Sequence, residues 1–483
     1  MTENPGEYSL DVYRVDLDTG RGRIHAQGVN DTQGYIVRRD GEVAARIAYN
    51  SETGRWRLSA KAGGGWKDIH QVRALLDRPA VFGLGRTPDT VAIADEVDGE
   101  WRLMEVSLSD GSERTHVDLG ASPNRVLRDA NGLMVGVGFM DIYQDYSFIS
   151  PLLAEAWALL KEGLPGRQLT LVSYSDNMKA VVFYVQGTGE PGSYYLYDGE
   201  AKRVSLVGRA YPDLVDAEIA EVQIVRYKAQ DGLDLMGYLT YPPGRARTNL
   251  PLVVMPHGGP AARDEPGFDW WAQGMASRGY AVFQPQFRGS NGFGQALLEA
   301  GYGEWGRKMQ TDLSDGVRHL AERGLIDQAK VCIVGASYGG YAALAGATME
   351  PDLYRCAVSV AGVSDLREML LAEERKGARG DANPAVRYWS RFMGAQSTGD
   401  RSIDVYSPAR LVSEKASPVL LIHGRNDTIV PFAQSQIMQT ALQGKGRLVP
   451  LEGEDHYLSL STTRRQMLAE TVAFLEVHNP ATP

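Results

Sequence analysis

Six short runs of almost wholly apolar residues in the second half of the chain restrict its fold more than any other feature. The runs cover residues 252–255, 281–283, 331–334, 357–360, 419–422 and 448–451. Strands this uniformly apolar are buried on both faces, as in a parallel sheet that helices cover on both sides. Helical segments separate the runs, and the last segment, 462–477, carries Leu468, Val472 and Leu475 on one face. This pattern predicts a doubly wound, mostly parallel α/β domain.

The first half of the chain follows a different pattern, in which short alternating runs are separated by Gly, Asp and Asn. One such run, residues 193–197, is followed directly by Asp198 and Gly199. Alternation that ends in an Asp-Gly turn is typical of antiparallel hairpins. The units recur about every 40–50 residues, the length of a four-stranded propeller blade. The pattern predicts an all-β, β-propeller-like domain, with a β-sandwich or an irregular all-β domain as the alternative.

The repeats supply only about three and a half blades, so the predicted ring is apparently incomplete. We place a partial unit at 8–28 and further units near 29–75, 78–120 and 124–210. A helical insert around 151–160 interrupts the last unit. A chain of 483 residues exceeds one compact domain. We therefore divide it into the β domain at 1–225 and the α/β domain at 226–483.

The charge balance argues against two classes of partner. The net charge is −10 at pH 7 and no cluster of Lys and Arg stands out, whereas nucleic acids and anionic membranes require a clustered basic surface. The N-terminus lacks the basic start and apolar core of a signal peptide, and no apolar stretch reaches the roughly 18 residues of a membrane span. We expect no nucleic-acid or membrane partner, and a cytoplasmic protein, or a periplasmic one if the natural precursor carries a signal absent here.

The two cysteines, Cys332 and Cys356, both lie in apolar runs. We interpret them as buried thiols that imply no disulfide framework. No CxxC pair and no HExxH motif occurs in the sequence, so we expect neither a metal nor another cofactor.

Residues 335–339 read Gly-Ala-Ser-Tyr-Gly, which fits the pattern GxSxG and is the strongest chemical motif in the chain. The motif follows the apolar run 331–334 and precedes a segment rich in small residues, 341–347. This strand–turn–helix context exposes the serine hydroxyl at the top of an α/β-hydrolase sheet, at the positive end of the next helix. We predict an α/β-hydrolase domain with Ser337 as nucleophile; a structural glycine-rich turn is the alternative.

A serine hydroxyl needs a general base, and the base needs an orienting acid. In this fold the chain order is Ser, then Asp or Glu, then His. His456 lies in a polar loop between the last strand and the last helix, where the base is expected. His423 directly follows an apolar run and is interpreted as a satisfied structural histidine. Asp427 follows the penultimate strand and is predicted as the acid. Asp455 is rejected because it cannot easily face the ring of its neighbour His456, and Glu454 is rejected on similar grounds.

Acyl transfer also needs hydrogen-bond donors that point at the developing oxyanion. One predicted donor is the backbone N–H of Tyr338, which follows the nucleophile. The second is expected from the loop after an early strand, where residues 257–260 read His-Gly-Gly-Pro. The glycines there would let the backbone approach a substrate, and a plain turn is the alternative.

Together these residues resemble the prolyl oligopeptidase family of serine peptidases, most closely its acylaminoacyl-peptidase-like branch. The matching segments are 257–260, 287–294, 303–306, 335–340 and the loops that contain Asp427 and His456. The resemblance covers nearly all of 220–478. It implies a C-terminal α/β-hydrolase domain behind an N-terminal β-propeller that limits access to small peptides.

The resemblance also implies roles for individual residues. Gly259 and Tyr338 correspond to the oxyanion hole. Val363, Leu366 and Met369 correspond to the walls of an apolar pocket for the residue before the cleaved bond.

Two features depart from the family pattern. The residues before 225 supply fewer blades than a family propeller has, so we expect either an N-terminus shorter than those of relatives or an incomplete ring that needs a partner chain, which makes a homo-oligomer possible. Many family peptidases also carry an arginine two positions after the catalytic aspartate, as a clamp on a substrate carbonyl. Here that position is Ile429, and Arg288 and Arg425 are candidates to replace the clamp.

The function predicted from these residues is a serine peptidase that hydrolyses short peptides through an acyl-enzyme and prefers an apolar residue before the cut. A carboxylesterase of the same fold, acting on small acyl esters, is the first alternative. An isopeptidase acting on threaded peptides and an inactive binding scaffold are the others.

Overall fold

The computed structural model describes residues 10–481 except 98–99, 116–122, 188, 215–218, 378–379 and 381–382. The first part of the chain forms five small antiparallel sheets. Their strands are β1 (Val12–Val15) and β2 (Gly22–Ala26); β3 (Thr32–Val37), β4 (Val43–Asn50), β5 (Arg55–Ala62) and β6 (Gly65–Arg73); β7 (Ala80–Leu84), β8 (Thr90–Val97), β9 (Glu100–Ser107) and β10 (Glu113–Thr115); β11 (Pro123–Arg128), β12 (Met134–Met140) and β13 (Gln144–Phe148); and β14 (Gln168–Tyr174), β15 (Ala180–Gly187), β16 (Glu190–Asp198) and β17 (Arg203–Arg209).

The predicted single unit at 124–210 is wrong. It consists of two sheets, the three-stranded β11–β13 and the four-stranded β14–β17, separated by the predicted helical insert, α1 (Pro151–Gly163). Both sheets pack onto the buried face of α1, whose Trp157 contacts the ring of Tyr146 at a centroid distance of 5.0 Å. The helix thus supplies an apolar surface on which both sheets pack. The position of α1 between the two sheets makes the interval 124–210 longer than one four-stranded unit.

The second part of the chain is built on one eight-stranded sheet. Its strands are β18 (Val222–Lys228), β19 (Asp234–Thr240), β20 (Leu250–Val254), β21 (Ala281–Gln286), β22 (Ile326–Ala336), β23 (Cys356–Val360), β24 (Val419–Gly424) and β25 (Gly446–Leu451). They are arranged in the order β18-β19-β21-β20-β22-β23-β24-β25, antiparallel only across β18–β19 and β19–β21. All six predicted strands are confirmed, and the two strands with antiparallel pairing at one end of the sheet, β18 and β19, were not predicted.

Helices cover both faces of this sheet. They are α2 (Trp270–Ala276), α3 (Gln295–Glu299), α4 (Lys308–Glu322), α5 (Tyr338–Met349), α6 (Leu366–Lys376), α7 (Pro384–Met393), α8 (Pro408–Leu411), α9 (Ala433–Ala441) and α10 (Ser461–His478). Successive strand residues alternate between two cores: Ile333 packs on the α4–α5 side, whereas Cys332 and Val334 pack on the α2–α10 side. The doubly wound α/β fold is confirmed. The predicted division at 225/226 stays a prediction.

The two cysteines are buried, as expected, but they are not free thiols. Cys332 of β22 is disulfide-bonded to Cys356 of β23. The two strands are parallel neighbours and these residues are direct partners in the register, with Cα atoms 4.9 Å apart. The sequence separation of 24 residues gave no sign of this pairing, because only the register of the sheet sets the two side chains opposite each other.

Side chains of the α/β domain reach into the β domain. Arg387 of α7 is buried and donates to the backbone carbonyls of Ser51 (2.9 Å) and Leu75 (3.1 Å). In the other direction Gln168 of β14 donates to the Pro266 carbonyl at 2.9 Å. The two parts are therefore joined by hydrogen bonds to loop backbone.

Among the described residues, no helix combines the length and the apolar composition that a membrane-spanning helix requires.

The hairpin β1–β2 leaves large apolar side chains at the surface. Tyr13, Val15, Leu17 and Ile24 are all at least half exposed. A two-stranded sheet has too little partner surface to cover such residues. The homo-oligomer expected from the incomplete ring stays a prediction.

A partly buried histidine joins two neighbouring sheets of the β domain. His70 of β6 places Nε2 at 2.8 Å from Asp95 Oδ2 and Nδ1 at 2.7 Å from Glu113 Oε1. Both partners are acceptors, so the protonated ring satisfies them together. The hydrogen bond to Asp95 and the charge of Glu113 raise the pKa of His70, although burial opposes this.

We expect His70→Ala to lower the free energy of unfolding of the β domain by about 1.5–3 kcal/mol at pH 6, the range for hydrogen bonds to charged groups. Because the folded-state pKa is raised, this stabilisation is complete below the unfolded pKa of about 6.5 and is lost as the pH rises through the folded value. Calorimetric unfolding of wild type and variant at pH 6 and pH 9 measures the difference. An equal decrease in the free energy of unfolding at both pH values would contradict the assignment of His70 as a protonated ring. His25→Ala, whose ring has only a 3.7 Å contact with Glu42, serves as the control.

Candidate active site

Close backbone packing forms the turn between β22 and α5. A side chain on Gly335 would overlap the backbone of Gly339, and one on Gly339 would overlap the carbonyl oxygen of Pro256. The chain can therefore reverse directly after the strand only with glycine at both positions. The same contacts hold the loop that begins at Pro256 against the turn.

Ser337 lies at the apex of this turn with φ 56° and ψ −117°, a conformation that non-glycine residues rarely adopt. It precedes the first residue of α5, yet its hydroxyl does not cap the helix. Among the described residues, no hydrogen bond of the Ser337 hydroxyl is found. Strained serine backbone at a helix N-terminus, with an uncommitted hydroxyl, is the geometry of a nucleophile elbow.

Tyr338 contributes its backbone rather than its phenol. Its side chain is completely buried against the rings of Phe287 (5.2 Å between centroids), Trp305 (4.7 Å) and Tyr341 (5.8 Å). Burial raises the pKa of Tyr338 far above its usual value, so the phenol stays protonated. The N–H of Tyr338 opens α5, where no carbonyl of the preceding turn is available to it.

The loop at 257–260 is oriented by its own histidine. Burial lowers the pKa of His257 to about 4, so the ring is neutral. Its Nδ1 lies 2.7 Å from the Gly258 carbonyl, an acceptor, and therefore donates, while Nε2 accepts from Ser290 Oγ at 2.8 Å. Since a peptide group is planar, fixing the Gly258 carbonyl towards His257 turns the Gly259 N–H to the opposite side. Gly258 itself packs against Ser337, with 3.4 Å between a Cβ built on Gly258 and the Ser337 Cβ.

Asp427 and His456 meet across the ends of β24 and β25. His456 Nδ1 lies 2.6 Å from Asp427 Oδ2. Asp427 Oδ1 accepts from the N–H groups of Ile429 (2.8 Å) and Val430 (2.9 Å). Burial by itself raises the pKa of Asp427, but hydrogen bonds from His423 and His456 outweigh it and hold the pKa well below the usual value. The carboxylate is thus charged at neutral pH and fixes Nδ1–H of the His456 ring, which leaves Nε2 as the basic nitrogen.

A buried glutamate shapes the His456 loop. Glu454 is completely buried and accepts from the N–H groups of Asp455 (3.0 Å), Ser459 (2.8 Å) and Leu460 (3.2 Å), and from the Thr463 hydroxyl. It therefore acts as a brace for the loop. No local pattern indicates this role, because a glutamate in a polar loop is ordinarily exposed.

The remaining rivals for the base and the acid have other partners. His423 is completely buried, and its Nδ1 lies 2.8 Å from Ser435 Oγ. Its interpretation as a satisfied histidine is confirmed. Asp455 accepts from the Tyr457 N–H at 2.8 Å and from the Ser459 hydroxyl, so its carboxylate belongs to its own turn.

Arg288 is not available as a substrate clamp, so the prediction that it could replace the missing arginine is wrong. Its guanidinium is buried, bonded to Asp312 at 2.7 and 2.8 Å and to Asp231 at 2.9 and 3.0 Å. These bonds raise the pKa of Arg288 although burial opposes them. Arg425 is half exposed, pairs with Glu452 at 3.1 Å and stacks on the ring of Phe432.

The predicted pocket residues lie in the core next to the turn. Val363, Leu366 and Met369 are completely buried in the cluster that also contains Tyr338 and Tyr341. Their role as pocket walls stays a prediction. Among the described residues, no group of three His, Cys, Asp or Glu side chains is arranged to hold a metal ion.

Comparison with known proteins adds three findings. The family described as the prolyl oligopeptidase family matches residues 266–479, which include Ser337, Asp427 and His456. Dipeptidyl aminopeptidase BIII of Pseudoxanthomonas mexicana is 30% identical over 493 residues, covering 96% of this chain and 69% of that protein. The human acylamino-acid-releasing enzyme is 26% identical over 260 residues, 51% of this chain and 34% of that enzyme.

The fold also resembles a solved structure over almost its whole length. A puromycin-hydrolysing peptidase of Mycobacterium tuberculosis superposes with a TM-score of 0.77 at 22% identity, covering 96% of this chain and 72% of that chain. The likeness extends through the β domain as well as the α/β domain.

We expect Arg288→Ala to lower the free energy of unfolding by about 3–5 kcal/mol, because it leaves the fully buried Asp312 without its counter-charge. Asp231→Asn should lower the free energy of unfolding by less, since Asp231 is partly exposed. Urea unfolding of both variants against wild type measures the two losses. An Arg288→Ala variant as stable as wild type would show that the buried network is not a structural element.

Proposed function

Because the chain belongs to the prolyl oligopeptidase family of serine peptidases, we propose that it hydrolyses short peptides through an acyl-enzyme formed on Ser337. The observation that carries the proposal is the 2.6 Å hydrogen bond between His456 Nδ1 and the Asp427 carboxylate. This pair lies at the carboxyl ends of the parallel strands, as does the serine in the elbow conformation. That bond sets the tautomer that a general base requires.

In the proposed reaction the Ser337 hydroxyl attacks the carbonyl carbon of the scissile bond while His456 Nε2 takes its proton. The protonated His456 is stabilised by Asp427 and then gives the proton to the leaving amine, which leaves an ester on Ser337. Water, deprotonated by His456, hydrolyses that ester. The N–H groups of Gly259 and Tyr338 are the proposed donors to the oxyanion.

The preference for an apolar residue before the cut rests on Val363, Leu366 and Met369. These side chains follow β23 at the edge of the sheet where Ser337 stands. All three are apolar, so a substrate group that came to contact them would gain from apolar burial.

An esterase is the second candidate, and the position of Ile429 favours it. Isoleucine cannot donate a hydrogen bond from its side chain, and Arg288 is bound to Asp312 and Asp231. A peptide would therefore gain little over a simple ester from a carbonyl upstream of the pocket residue.

We expect Ser337→Ala to fold normally, to lose labelling by an active-site phosphonate and to lose about a millionfold in kcat, the typical effect of removing a triad serine. Ser413→Ala, a change at an exposed serine of the same domain, should label like wild type. Labelling followed by mass spectrometry measures both, and persistent labelling of Ser337→Ala would identify another nucleophile.

We expect a blocked dipeptide and a single acyl residue, attached to the same chromogenic leaving group, to differ by less than about 10-fold in kcat/KM. A clamp on the upstream carbonyl would contribute about 1.5–3 kcal/mol, which is about 10- to 150-fold. A preference above about 100-fold for the dipeptide would show that a clamp exists. Arg425→Ala would then test the remaining arginine candidate.

A further inference from the structure

A second histidine shares the carboxylate of the proposed triad. Asp427 Oδ2 lies 2.6 Å from His456 Nδ1 and 3.2 Å from His423 Nε2. Together with the two backbone N–H groups on Oδ1, the carboxylate has four donors, two on each oxygen. His423 is the one donor of the four that belongs to neither the acid loop nor the base.

The hydrogen-bond partners of His423 fix its tautomer. His423 Nε2 also lies 3.0 Å from the carbonyl oxygen of Val430, which can only accept. Nε2 therefore carries a hydrogen and shares it between Val430 and Asp427. The other nitrogen, Nδ1, faces the Ser435 hydroxyl at 2.8 Å, which can donate to it.

We propose that His423 is a positioning residue for Asp427. Ser435 and Val430 hold the His423 ring, and its Nε2–H fixes the plane of the Asp427 carboxylate and stabilises its negative charge. This rests on the proposed function, because it matters only if Asp427 orients His456 as a base. Without His423, Oδ2 would have a single donor, and three hydrogen bonds instead of four would hold the plane of the carboxylate. His456 would then be less well aimed and would face a more basic partner.

Other charged groups around this loop are already engaged. Lys376 of α6 donates to the carbonyl oxygens of Thr428 (2.7 Å) and Ile429 (3.2 Å) and pairs with Glu373. On the side of His456, Arg425 pairs with Glu452, Glu454 accepts from backbone N–H groups, and Asp455 accepts from the Tyr457 N–H. Among the described residues, the only titratable side chains at hydrogen-bond distance from His423 and Asp427 are therefore each other and His456.

The test compares two substitutions of the same ring. His423→Phe keeps the shape and removes the donor, whereas His423→Gln keeps an N–H at about the place of Nε2. We expect His423→Phe to lower kcat about 10-fold or more with KM changed less than about 2-fold, the loss of one hydrogen bond to a charged group. We also expect the acid limb of the pH profile of kcat/KM to move up by about one pH unit, since a more basic aspartate favours protonated His456.

His423→Gln should restore kcat to within about 3-fold of wild type and return the acid limb to its original position. Titration of active sites with a phosphonate corrects both rates for the folded fraction. A purely structural role would lower the titratable fraction at every pH without moving the limb. A His423→Phe enzyme with the wild-type kcat and limb per titrated site would overturn the proposal.

Ser435→Ala keeps the ring and removes its outer hydrogen bond, so it serves if His423→Phe does not fold. It should shift the limb in the same direction by a smaller amount, and an unchanged limb would again contradict the proposal. Failure of the proposed function gives a different result: Ser337→Ala or His456→Ala would keep turnover, whatever the His423 variants do.

Discussion

The Asp427 carboxylate is the interaction on which the geometry of the site depends. Its four donors come from the acid loop, from the strand end at His423 and from the base loop at His456. A buried carboxylate is tolerated only when its oxygens are satisfied, so folding of the surrounding loops and charging of Asp427 are coupled. The same bonds that stabilise the charge also orient the ring of His456, the proposed general base.

Other buried polar groups fix the backbone on either side of the proposed triad. Glu454 braces the loop of His456, and His257 fixes the peptide group that carries the Gly259 N–H. Arg288 and Asp312 form a buried pair beneath the same edge of the sheet. Each of them holds main chain or a neighbouring charge in place. Preorganisation of this kind allows donors to be in place before charge develops in a transition state.

Sequence reasoning identified the parts of the site that depend on local pattern. The six parallel strands and the turn at Ser337 follow from apolar runs and glycine spacing, which short-range sterics impose on any chain. Strands β18 and β19 at one end of the sheet were not predicted, two sheets at 124–210 were predicted as one unit, and Cys332 and Cys356 were interpreted as free thiols. Those features depend on which strands become neighbours, and no local pattern encodes that.

The sequence by itself determined the apolar strands of a doubly wound sheet and the glycine-flanked turn at Ser337, because each of these is set by a few consecutive residues. It also placed Asp427 and His456 in the loops after the last two strands. Only the tertiary structure decided the partners of the buried polar groups. Arg288 forms structural ion pairs with Asp312 and Asp231 and is not a substrate clamp. Glu454 accepts from the backbone of the His456 loop, and His423 donates to the Asp427 carboxylate. The physical reason is that a buried polar side chain must find a partner within about 3 Å, and those partners lie up to tens of residues away in the sequence, brought close only by the packing of the sheet and its loops.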